Sequence, residues 1–232
     1  MSVFTDLLGI GEGGTTVIIG SGGKTSLLYA LADELPGRIV LGTTTHIRPS
    51  DEYKTLTDPT PEQIRSDWAR VLCAGHPAPD GKLTAPEGGW ERLRGCGDHL
   101  LLEGDGARER PLKAHAPWEP VIPPFTDCLV CVVGASGFDQ PVAEVVHRPE
   151  RWTEPDTSPE SVAAMLAREL CVPLSEGGTA PFGRAELAGI PLTICVNQCD
   201  SAERLDMARR LAARLPFPIV AGSIKKRELS RL

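Results

Sequence analysis

An apolar run that ends in a glycine loop and passes straight into a helix start is the feature that most constrains this chain. Thr15-Thr16-Val17-Ile18-Ile19 reads as a buried strand, Gly20-Ser21-Gly22-Gly23 as a tight turn, and Lys24-Thr25-Ser26-Leu27-Leu28 as the opening of a helix. Gly20, Gly22 and Gly23 tolerate positive φ and let the main chain approach an anion, so that successive N–H groups and the positive helix end point at it. In that arrangement Lys24 reaches the terminal phosphates of a nucleotide and the Thr25 hydroxyl serves Mg²⁺, with Ser21 and Ser26 in the same binding segment. Ile18 stands where the longer phosphate-loop pattern has its first glycine, so the match is to the shortened form G-x-x-G-K-T. The competing reading is a glycine-rich strand-to-helix turn whose lysine binds nothing.

Further apolar runs follow at Arg38 to Gly42, His99 to Glu103, Cys128 to Gly134, Pro191 to Asn197 and Pro218 to Gly222. None alternates polar with apolar, as expected of parallel strands covered on both faces. Helical stripes lie between them: Leu27, Leu28, Leu31 and Leu35 before Pro36-Gly37, and Leu205, Ala208, Leu211, Ala212 and Leu215 before Pro216. The alternation predicts a single α/β domain over residues 1–232, a three-layer phosphate-loop (P-loop) NTPase-like fold with a mainly parallel sheet and ligands at the carboxyl ends of its strands. Three stretches interrupt it and read as excursions: Cys73 to Gly89, Gly104 to Phe125, and Pro173 to Gly189, the last resembling a flexible lid.

Two carboxylates, Glu103 and Asp105, stand just past the end of the His99 strand. In a phosphate-loop protein an acid at the tip of a neighbouring strand completes the magnesium shell, and Glu103 is the first candidate beside Thr25. Asp105 is the candidate to position water for hydrolysis, with Lys24 the other catalytic candidate; the bland alternative is a solvated Asp-Gly turn. Thr43-Thr44-Thr45-His46 opens onto the same sheet edge, where its hydroxyls would serve metal or phosphate or simply be good strand material. Asn197-Gln198-Cys199-Asp200 resembles the N-K-x-D signature of guanine-nucleotide-binding proteins, in which the aspartate reads the guanine N1–H and amine. Gln198 replaces the lysine of that signature, and Asp200 with Ser201 is equally placed to start the next helix.

Charge and cysteine usage narrow the classes. A net charge of -7 argues against a nucleic-acid partner for the chain as a whole. Seven cysteines without framework spacing predict a reducing, cytoplasmic setting, and no apolar run is long enough to span a bilayer. Cys128 and Cys131 have C-x-x-C spacing, but on one strand they point to opposite faces, which predicts core residues rather than a metal pair.

Taken together, the loop Gly20 to Thr25, the segment Gly42 to His46, the stretch Leu102 to His115 with Glu119 to Pro123, and Val196 to Asp200 resemble the YqeC proteins. The resemblance implies a nucleotide-binding accessory protein in the maturation of molybdenum hydroxylases that carry a labile selenium. It implies GTP or ATP with Mg²⁺ as ligand, a hydroxylase or its cofactor-maturation proteins as partner, and slow NTP hydrolysis. On that resemblance Arg108, Arg110, Lys113 and His115 form a mobile basic segment that contacts a partner or a cofactor's phosphate. Two other classes stay open: an ATP-dependent ligase of the Mur type that forms an acyl phosphate, and a non-hydrolysing nucleotide-dependent carrier.

Overall fold

The computed structural model describes residues 4–170 and 189–232. The lid expected between Pro173 and Gly189 lies almost wholly outside them. In chain order the strands are β1 (Gly14–Gly20), β2 (Ile39–Thr43), β3 (Lys54–Thr57), β4 (Val71–Pro77), β5 (Leu83–Thr84), β6 (His99–Glu103), β7 (Leu112–Lys113), β8 (Cys128–Gly134), β9 (Val146–His147), β10 (Leu192–Asn197), β11 (Ile219–Ser223) and β12 (Glu228–Arg231). The α-helices are α1 (Phe4–Leu8), α2 (Lys24–Glu34), α3 (Pro61–Ser66), α4 (Val142–Val145), α5 (Pro159–Leu170) and α6 (Ala202–Ala212).

One sheet of ten strands runs in the order β12-β11-β10-β8-β1-β6-β2-β4-β3, with β5 paired off β4. Every pairing along it is parallel except those of β12 with β11 and of β5 with β4. Strand side chains alternate between faces, so each strand feeds two cores. Val17, Ile19, Leu102, Cys131, Val133 and Val196 pack under α5 and α6 with Val162, Leu166, Ala208 and Leu211. Ile18, Leu101, Cys128, Val130, Val132 and Cys195 pack under α1 and α2 with Phe4, Leu8, Leu27, Leu28 and Leu31. These are the three layers of a P-loop NTPase-like fold, and the Cys128–Cys131 pair divides between the two cores as strand geometry requires.

The expected strands are all present, with ends shifted by a residue or two. The stretch read as an excursion from Cys73 to Gly89 instead contributes β4 and β5, because Val71, Leu72, Cys73 and Ala74 are buried beside β2 before the first proline. Helix α5 also went unforeseen. Its stripe of Val162, Ala163, Met165, Leu166 and Leu170 closes one face of the sheet. No helix among the described residues is long and apolar enough to cross a membrane.

Register brings the chemistry to one edge. Central β1 lies between β6 and β8, with Ile18 opposite Glu103 and Gly20 opposite Val132. Thr43 pairs with Glu103 and Asn197 with Gly134, so the carboxyl ends of β2, β6, β1, β8 and β10 converge around Gly20 to Lys24.

Candidate nucleotide-binding site

The glycine loop adopts the backbone its composition favours: φ is 88° at Gly20, 83° at Gly22 and 130° at Gly23. Space as well as φ demands glycine here. A Cβ on Gly22 would stand 2.4 Å from the Gly134 Cα, and one on Gly23 would stand 2.4 Å from the Asn197 amide nitrogen. The loop is thus pressed against β8 and β10, and α2 starts from it with Gly23 at its N-cap and no side chain capping its free N–H groups. This main-chain cradle fits a phosphate.

Lys24 is buried, its ammonium donating to the Gly20 carbonyl at 2.7 Å and lying 3.1 Å from Asp105 Oδ1 without hydrogen-bond alignment. Thr25 donates through its hydroxyl to Glu103 Oε1 at 2.5 Å, so the two candidate metal-holding groups already touch. Burial pushes the Glu103 pKa up, an effect that Lys24 and the Thr25 hydrogen bond partly offset. A divalent cation beside these oxygens would favour the ionised carboxylate. The donor set of hydroxyl and carboxylate suits a hard cation such as Mg²⁺.

Asp105 is fully buried and shared among several donors. Its Oδ2 accepts from the Gly20 N–H at 2.9 Å, from His115 Nε2 at 2.6 Å, and lies 3.2 Å from the Lys113 ammonium. Burial works to raise its pKa, and is overcome by Lys24, the His115 hydrogen bond and Lys113, which hold the carboxylate well below the usual range. A carboxylate so bonded is a brace for the loop. Its place makes it a poor proton acceptor, so the geometry favours a bracing role over the catalytic one expected from the sequence.

The expected mobile basic segment divides in two. Arg108 and Arg110 are exposed at a loop tip that lines the cleft. The side chains of Lys113 and His115 are instead buried: Lys113 pairs with Glu119 at 2.7 Å, and His115 Nδ1 meets Glu169 of α5 at 2.6 Å. Both imidazole nitrogens face carboxylates, so both donate. Burial opposes the charged ring, but Glu169 and the Asp105 hydrogen bond raise its pKa to about 9. Arg148, just past β9, completes the chain with bonds to Glu119 at 2.5 and 3.2 Å. Glu169 and Arg148 drew no notice in the sequence, since single charges distant along the chain give no local signal.

Asn197 is buried, its amide donating to the Gly22 carbonyl at 2.7 Å while its oxygen accepts from the Ile224 N–H at 2.9 Å. It therefore props the phosphate loop directly. Asp200 lies at the surface beyond it, where a Ser223 hydrogen bond and then Lys226, 3.4 Å away, keep its carboxylate ionised. Gln198 reaches the cleft between them. After β2, Thr43 donates to the Glu103 carbonyl at 3.0 Å and Thr44 to the Val121 carbonyl at 2.8 Å, leaving Thr45 and His46 on the cleft wall. Cys199, beside this end, has its thiol pKa pushed up to about 11 by burial, which keeps it protonated.

Sheet order, glycine loop and lysine define a P-loop NTPase-like domain. Within that class, the family model described as YqeC protein matches residues 16–150, and the chain belongs to the YqeC family. A relative in Escherichia coli (strain K12), the uncharacterized protein YqeC, is 33% identical over 165 residues, covering 59% of this chain and 57% of the relative. The match thus spans little more than half of that curated protein's length. No solved structure matches the chain.

Proposed function

We propose that this chain binds a nucleoside triphosphate with Mg²⁺ and acts as an accessory protein in the maturation of selenium-dependent molybdenum hydroxylases. The observation that carries the nucleotide reading is the contact between Thr25 and Glu103 directly beside the Gly20 to Lys24 cradle. Loop amides and Lys24 hold phosphate, while Thr25 and Glu103 hold the metal, which when bound neutralises phosphate charge. Asp200, fixed by Ser223, reads the base, and Asn197 supports the loop. The maturation role rests on the family resemblance of the segments around Glu103 to Pro123.

Turnover is slow or absent in this reading, because the carboxylate nearest the loop, Asp105, is committed to Gly20, Lys24, Lys113 and His115. That commitment favours a nucleotide-dependent carrier over a fast hydrolase.

Calorimetric titration with ATP and GTP, with Mg²⁺ and with chelator, tests the site. Glu103→Gln should weaken Mg-nucleotide binding about tenfold or more and leave metal-free binding nearly unchanged. Equal loss under both conditions would remove Glu103 from the metal. For the role, a strain lacking the protein should yield hydroxylase with reduced activity and selenium content. Normal enzyme from that strain would overturn the maturation assignment and leave the nucleotide site untouched.

A further inference from the structure

The cleft in front of the phosphate loop is broad and open to solvent, with a volume of about 1310 Å³. Its lining includes Gly22 to Ser26 together with Arg48, Arg108, Arg110, His147 and Arg148. Arg148 is neutralised by Glu119. Arg48, Arg108 and Arg110 have no carboxylate partner among the described residues.

These guanidinium groups are not on a loose loop. The Pro111 carbonyl accepts from the Ser21 hydroxyl and from the Gly134 N–H, each at 2.9 Å, which ties the distal end of the loop to the phosphate loop and to β8. At the proximal end the buried Lys113 ammonium donates to the Gly106 carbonyl at 2.5 Å. Between these ties only a short turn remains, closed by the Arg110 N–H on the Ala107 carbonyl at 3.0 Å. Arg108 and Glu109 sit in it at φ 47° and 63°, a left-handed backbone that costs energy for residues with side chains and is held here by the ties on either side.

His147 stands beside these cations. Its pKa is lowered to about 4, by burial first and then by Arg148 and Lys113, with Arg108 adding to the effect against Glu119. Glu109 and Glu150 also line the cleft, so a compact anion suits it better than an extended polyanion.

We propose that Arg48, Arg108 and Arg110 form a second anion subsite, which seats a small phosphate-bearing molecule in the same cleft as the nucleotide's phosphate end. The proposal builds on the nucleotide reading of the phosphate loop. It makes the cleft a two-ligand site, in which the nucleotide and a phosphorylated small molecule are held together.

Inorganic phosphate is the probe, and equilibrium dialysis of the full chain with radiolabelled phosphate is the measurement. Protein saturated with a non-hydrolysable Mg-nucleotide should bind one further phosphate per chain. Arg108→Ala with Arg110→Ala should weaken that binding about tenfold or more while the nucleotide still binds one per chain. Arg48→Ala, on a separate element, gives the same readout if the double variant does not fold. No phosphate beyond the nucleotide, competition between the two, or equal binding by the variants would each overturn the subsite. Lys24→Ala separates the two readings. Loss of nucleotide with retention of arginine-dependent phosphate supports both, whereas nucleotide bound normally by Lys24→Ala removes the phosphate-loop reading on which this proposal builds.

Discussion

His115 donates from Nε2 to the buried carboxylate of Asp105 at 2.6 Å, and Asp105 in turn accepts the Gly20 N–H. A histidine far along the chain thus fixes the first residue of the phosphate loop. Its other nitrogen meets Glu169 of α5, so the loop is braced against the helix layer.

The brace makes stability depend on pH in a predictable sense. The His115 pKa is about 9 in the folded chain against 6.5 for the free group, so the stabilisation is fully present below pH 6.5 and fades as pH rises through 9. At its full extent the contribution is on the order of 3 kcal/mol. Asp105 has the opposite sign: its depressed pKa gives stability above the ordinary carboxylate range that is lost on acidification. Urea unfolding between pH 6 and pH 10 should show parent stability falling across this window and His115→Gln remaining flatter. Parallel curves would mean that the imidazolium does not hold the brace.

Lys24 is buried against Asp105, so its removal has two consequences. Lys24→Ala should abolish nucleotide binding and also destabilise the ligand-free fold by about 1–3 kcal/mol, because Asp105 keeps Lys113 and His115 but loses a close charge. Lys24→Met, which fills more of the space, should recover part of the stability and none of the binding. Calorimetry and denaturation on both variants separate the effects. Recovery of nucleotide affinity by the methionine would show that the ammonium is dispensable.

The base preference rests on Asp200, which Ser223 orients. Guanine should bind better than adenine, and Asp200→Asn should move the preference toward xanthine, whose acceptor pairs with an amide where a carboxylate repels. Because Asp200 is exposed, the discrimination should be modest, a few-fold rather than orders of magnitude. Competition titrations with GTP, ATP and XTP check it. Equal affinity of the parent for GTP and ATP would remove Asp200 from the base site.

β1, β2, β6, β8, β10 and β11 were legible because they are uninterrupted apolar runs flanked by glycine or acid, whereas the buried run of β4 is short and passes straight into Gly75, His76 and Pro77, which read as a loop. β3 was not, since Lys54, Thr55, Leu56 and Thr57 at the sheet edge are only partly covered and carry no apolar run. The Thr25–Glu103 contact was readable, as both residues end adjacent strand-linked segments. Burial of Lys113 and His115 was not, because a lysine and a histidine among arginines and prolines look solvated until Glu119 and Glu169 are placed beside them. Long-range charge pairing leaves no periodicity to read.

The close approach of the phosphate loop to β8 yields the sharpest test of the cradle. Gly22 and Gly81 have similar backbones, with φ 83° and 76°, but a Cβ on Gly22 would lie 2.4 Å from the Gly134 Cα, whereas one on Gly81 would meet nothing within 4 Å. Gly81→Ala should therefore cost only the left-handed strain, about 1–2 kcal/mol, and leave nucleotide affinity alone. Gly22→Ala carries the same strain plus a backbone collision that no side-chain rotation relieves, so it should cost more and displace the loop from its anion-facing geometry. Expected results are a lower unfolding midpoint than the Gly81 variant and nucleotide binding reduced at least tenfold. Equal stability and affinity in the two variants would mean that the loop moves away from Gly134 at little cost, and the tightly packed cradle would no longer explain why glycine stands at that position.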